Sequence, residues 1–148
     1  MKFSPFFGML LAAVAGCNNG GAGNASDPYV TQSNEYGTER KAPPGQSLTL
    51  PPGFPADVPP YPGARITRTV ERPQFTEVES ETPDPFAQAI AFYKKALPEA
   101  GWTVTEGGGN ARYDSIQAHK NGGNLIVSAG TGSGQGKTGI TLLVSPAP

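Results

Sequence analysis

The chain has one cysteine, one histidine and one tryptophan in 148 residues. Without a second cysteine no disulfide can form within the chain, which is compatible with an oxidising compartment but does not demonstrate one. The lone His119 sits at a predicted strand end beside Lys120 and the turn Asn121-Gly122-Gly123. No nearby motif supplies it with an orienting partner, so it is expected to face solvent rather than act in catalysis. Excess charge is also missing, with 11 Lys+Arg against 12 Asp+Glu. That balance removes the electrostatic argument for nucleic acid or for an acidic lipid surface. There is no G-x-S-x-G and the serines are scattered, so a nucleophile–base pair has little support. Beyond the first residues no apolar run is long enough to span a bilayer. No cofactor and no enzyme activity are expected from these features. At this length one domain is expected.

Glycine and proline, 20 and 16 residues, are plentiful and unevenly spread. Two stretches stand out. In the first, Lys2 and the chain amine precede an apolar run, Phe6, Phe7, Met9, Leu10, Leu11, Ala12, Ala13 and Val14, too short for a stable spanning helix. Small residues and the cysteine come next, as in an export signal. Val14-Ala15-Gly16-Cys17 resembles the lipobox of bacterial lipoproteins. The resemblance implies cleavage between Gly16 and Cys17, with acylation of Cys17. Each buried methylene contributes about 0.8 kcal/mol and one chain holds only marginally, so two or three chains make a stable anchor. Asn18 is the next residue, where the family's usual inner-membrane retention residue is Asp. The resemblance therefore favours the outer membrane if the source has one.

Residues 18–52 are small and polar with few large apolar side chains, too little to offset the entropy of ordering. They are expected to form a flexible linker with a reach of roughly 30 Å, to which Leu48 and Leu50 could add a small edge strand. The second conspicuous stretch runs Gly53-Phe54-Pro55-Ala56-Asp57-Val58-Pro59-Pro60-Tyr61-Pro62-Gly63. Proline fixes φ and removes donors, so an extended lead-in with turns is expected, anchored by Phe54, Val58 and Tyr61. With Phe92-Tyr93, Leu97 and Gly101-Trp102 further on, it resembles a family of exported and lipid-anchored bacterial domains. Those domains continue with strands and a helix, and the resemblance implies no activity.

Arg65–Glu71 and Phe75–Ser80 read as strands, the second with a Glu77/Glu79 face and a Thr76/Val78/Ser80 face. The run Glu77, Glu79, Glu81 and Asp84 lines carboxylates along a solvated face rather than converging them on a cation. Residues 85–97 are the clearest helix, with Asp84 as N-cap, Pro85 at the first position and Phe86, Ile90, Tyr93 and Leu97 as the buried stripe. Lys94 and Lys95 are expected to complement its C-terminal dipole, and Pro98 to end or bend it. Tyr93 and Trp102 are expected in the core rather than as a stacking surface for sugars.

Strands are expected at 102–105, at 111–119 with Tyr113 and either Ile116 or Ala118 inward, at 124–129 and at 138–144. Gly136-Lys137-Thr138 matches the end of a phosphate loop, but Thr131 stands where the first glycine belongs. The next residues, Ile140 to Val144, alternate like a strand, so a hairpin loop without nucleotide affinity is expected.

The predicted fold is α+β, in the order β-β-α-β-β-β-β: one mainly antiparallel sheet packed by a single helix. The predicted layout is a signal peptide at 1–16, a lipid-anchored linker at 17–52 and the domain at 53–148. The expected function is a membrane-anchored binding or interaction module of the cell envelope. Its expected partners are the bilayer, through Cys17, and an envelope protein or glycan. A peptidoglycan- or carbohydrate-contacting domain is the alternative, and an envelope hydrolase is a weaker rival.

Overall fold

In the computed structural model, residues 29–132 and 136–147 are described. Strands β1 (Val30–Asn34), β2 (Gly37–Lys41), β3 (Arg65–Arg72) and β4 (Phe75–Thr82) precede helix α1 (Phe86–Glu99). Strands β5 (Thr103–Glu106), β6 (Tyr113–Lys120), β7 (Gly123–Thr131) and β8 (Thr138–Ser145) come after it. All eight form one sheet in the order β1-β2-β3-β4-β8-β7-β6-β5, and every neighbouring pair is antiparallel. The α+β class, the single helix and the expected six strands are present. The last strand, β8, closes the sheet by filling the gap between β4 and β7.

Two strands are additional. The hairpin β1–β2 lies within the stretch expected to be a flexible linker, and β2 pairs with β3. Composition alone misses it because an edge hairpin needs little apolar burial of its own: β3 supplies its hydrogen-bond partners. Its turn is tight, with Asn34 Oδ1 accepting from the Tyr36 amide at 3.0 Å. Gly37 has φ +135°, and a Cβ there would lie 1.9 Å from the Glu71 carbonyl oxygen, so only glycine fits. The folded unit thus begins before the expected boundary at residue 53. Leu48 and Leu50 form no strand; the Leu48 amide donates to the Ile66 carbonyl at 2.9 Å and Leu48 is buried.

The helix packs on β5–β8 and buries Ala89, Ile90, Tyr93 and Leu97. These meet Ile116, Ala118, Leu125, Val127, Ile140 and Leu142 in one core, each large side chain contributing about 1.5–3 kcal/mol. Tyr93 and Trp102 lie in that core. Pro85, rather than Asp84, occupies the N-cap, without a side-chain cap bond. Asp84 is used elsewhere, accepting from the Tyr61 hydroxyl at 2.8 Å. Pro98 does not end the helix, which runs one residue further to Glu99. In the last turn proline's missing N–H costs one bond only. A Schellman closure then takes over: Trp102 N–H donates to Leu97 O, Gly101 N–H to Pro98 O, and Gly101 has φ +86°. Neither Lys94 nor Lys95 reaches the last turn; Lys94 instead pairs with Glu106 at 3.0 Å.

The proline-rich stretch crosses the remaining core face as a strap, with Phe54, Val58 and Tyr61 buried in the same cluster as the helix. Lys120 clamps it. Its ammonium donates to Asp57 and, at 2.6 Å, to the Ala100 carbonyl, and lies 6.0 Å from the centroid of the Trp102 ring. Lys120 holds the Asp57 carboxyl below its ordinary range. With folded pKa below unfolded, that contribution is present above about pH 4 and is lost as pH falls through the lower folded value. The pair is partly exposed, so Asp57→Asn and Lys120→Met are each expected to cost about 1 kcal/mol. Urea denaturation of the two single variants and the double checks this. Fully additive losses would mean that Asp57 and Lys120 do not cooperate.

Candidate ligand site on the open sheet face

Cross-strand partners share a face, so the register divides the sheet. Val78 opposes Thr69 and Leu142, and Ser80 opposes Ile66 and Ile140, all on the core side. Glu77, Glu79 and Glu81 point the other way, toward a face bearing Arg68, Val70, Thr141, Leu143, Ser128 and Ile126. No described helix or strand packs over it, although the loop at Gly108 covers Ser115 near one edge, and Ile126 is 40% exposed there. Parity also places Tyr113 opposite Gly130 on this face and leaves it 39% exposed, while Ile116 and Ala118 both point inward. This corrects the inward placement expected for Tyr113: it is three residues from Ile116, and an odd separation reverses the side in a strand.

Arg68 organises the open face. Its Nε donates to Glu39 at 2.8 Å, and its Nη1 to Glu79 at 2.7 Å and Glu77 at 3.1 Å. A planar fork can hold several carboxylates in fixed positions, which a lysine cannot. Glu39, first, and Glu79 raise the guanidinium pKa. Glu39 is itself held low by its bond to Arg68. Glu77 moves up, because burial disfavours its charge and Glu79 stands beside it. A second cluster lies along β4: Arg65 bonds Glu81 at 2.8 Å, and Lys137 bonds its other oxygen at 2.7 Å. Lys137 chiefly holds Glu81 low.

Between the clusters is a groove of about 400 Å³ lined by Thr67, Glu79, Glu81, Lys137, Gly139 and Thr141. A β-bulge in β3 between Ile66 and Arg68 puts Thr67 at its edge. Alternation in the sequence places the carboxylates on this face, but it reveals neither Arg68 nor the groove; no local pattern signals either, since their members come from four strands.

The other candidates fall as follows. Gly16 and Cys17 lie outside the described residues. His119 is exposed, with Nδ1 2.6 Å from the Asn124 amide oxygen. Thr138 opens strand β8, where a phosphate loop requires a helix, and Lys137 is committed to Glu81; residues 133–135 of that loop are outside the described set. Among the described residues no group of three His, Cys, Asp or Glu is placed to hold a metal ion. No helix among them is long and apolar enough to cross a membrane.

An antiparallel sheet with one face filled by a helix and a strap, and the other open and polar, defines a sheet-and-helix domain of the α+β class. A family model described as START domain-like matches residues 67–145. That is more than half of the chain, and the chain belongs to this family. No curated protein and no solved structure matches it.

Proposed function

We propose that the protein is a bacterial lipoprotein, cut between Gly16 and Cys17 and anchored through acylated Cys17, whose α+β domain is a binding and interaction module of the cell envelope. The observation that carries the anchor is the ordered series of charge, short apolar run, small residues and cysteine at residues 1–17. Asn18 favours the outer membrane where there is one. The open face supports a binding rather than a catalytic role. Glu77, a carboxylate with a raised pKa, is pinned by Arg68 on a sheet surface, and Glu81 in the groove is held low. A hydrolytic acid needs the reverse: a raised carboxyl inside the cleft.

Cys17→Ser is expected to abolish metabolic acyl labelling and to move the protein from the membrane to the soluble fraction. Labelling that persists in the variant overturns the anchor. In-cell crosslinking of the lipidated protein with mass spectrometry tests the module: a reproducible envelope partner or wall fragment supports it, and capture of lipid alone counts against it.

A further inference from the structure

Gly139 is the second residue of β8, where that strand is already flanked by β4 and β7. Glycine there weakens a strand and, in general, marks either a backbone constraint or a place that something must approach closely. The backbone does not require it: Gly139 is not among the positive-φ residues, and among the described residues a Cβ would meet only the Gly132 Cα at 4.0 Å, an ordinary contact. Its neighbour across the pair, Gly130, is different, since a Cβ there would lie 3.0 Å from both the Arg112 carbonyl oxygen and the Tyr113 side chain. Among the described residues, packing accounts for Gly130 and not for Gly139. Gly139 lines the groove, and with no side chain it puts none into that space.

The lining indicates what the groove admits. Glu81 is balanced by Arg65 and Lys137, and Glu79 by Arg68. An anion entering the groove meets two carboxylates, and a bare cation meets the ammonium of Lys137. A neutral group that both donates and accepts meets fixed carboxylate acceptors, an ammonium donor and the hydroxyls of Thr67 and Thr141. The volume is in the range of small-ligand sites, roughly 300–1,000 Å³. We infer that the groove over Gly139 is a subsite for a neutral, hydroxyl-rich ligand, a saccharide. This rests on the binding-module reading and supplies its ligand class.

The test is titration of the 15N-labelled protein with chitotetraose and maltotetraose, with inorganic phosphate and spermidine as charged controls. Saturable millimolar or tighter binding of at least one oligosaccharide is expected, with the largest amide shifts at Thr67, Glu79, Gly139 and Thr141. Gly139→Val should fill part of the groove and weaken binding at least tenfold without lowering the melting temperature, because a branched residue suits a strand. Thr141→Val, which keeps the volume and removes a hydroxyl, should weaken it several-fold and serves if the first variant misfolds. No saturable binding of either sugar, shifts mapping elsewhere, preference for either charged control, or undiminished binding by both variants overturns the assignment. Crosslinking separates the two readings: a protein partner captured equally by wild type and Gly139→Val, together with no saturable sugar binding, leaves the module standing and removes the sugar site.

Discussion

Tyr93→Ala is expected to destabilise the domain by about 3–5 kcal/mol, while Tyr93→Phe should be neutral or stabilising by up to about 1 kcal/mol. Tyr93 is fully buried on α1 and stacks edge-on with Phe92, at a centroid distance of 5.0 Å. Removing the ring leaves a cavity between helix and sheet that rigid strands cannot collapse to fill. The hydroxyl is a different matter. Among the described residues it makes no well-formed hydrogen bond, the Tyr61 backbone offering only a weak one, and burial drives its pKa well up. A buried hydroxyl so weakly partnered leaves most of its desolvation cost uncompensated, so losing it does little harm. Against a total stability of typically about 5–15 kcal/mol, the alanine variant loses a large share. Urea midpoints of the three proteins check this. A phenylalanine variant as weak as the alanine one would show that the hydroxyl, not the ring, holds the helix.

Arg68→Met is expected to lower stability at pH 7 by about 1–3 kcal/mol, and Arg68→Lys by a good part of that. One guanidinium stands among three carboxylates, and its side chain is 32% exposed. Removing it leaves Glu39, Glu77 and Glu79 repelling one another on a partly shielded surface. The pH dependence identifies the cause. In the wild type, Glu39 has a depressed folded pKa, so its contribution is present above about pH 4 and lost as pH falls through the folded value. Glu77 has the opposite shift: its charged form is disfavoured in the fold, so acidification relieves it. The gap between wild type and Arg68→Met should therefore narrow as pH falls from 7 toward 4. A gap that stays constant over that range would assign the loss to packing of the arginine stem.

Much of the fold is legible in the sequence because its signals are local. The helix announces itself through Phe86, Ile90, Tyr93 and Leu97 at helical spacing, and the carboxylate face of β4 through strict alternation. The departures have identifiable physical sources. Asp84 reads as an N-cap by type, but Tyr61, 23 residues earlier, claims its carboxylate. Tyr113 reads as core by size, but parity with Ile116 turns it outward. Residues 30–41 read as linker because they carry little apolar surface, yet β3 presents an edge on which they pair.

By itself the sequence determined the α+β class, the helix and its buried stripe, and which side of β4 is acidic. Each depends on residues a few positions apart, where a 3.6- or 2-residue period is enough. Only the tertiary structure decided that β8 lies between β4 and β7, that the fork of Arg68 gathers acids from β2 and β4, and that Gly139 lines a groove shared by β3, β4 and β8. Those outcomes depend on strand pairing across tens of residues, where register is set by the closing of the whole sheet and not by any stretch of it.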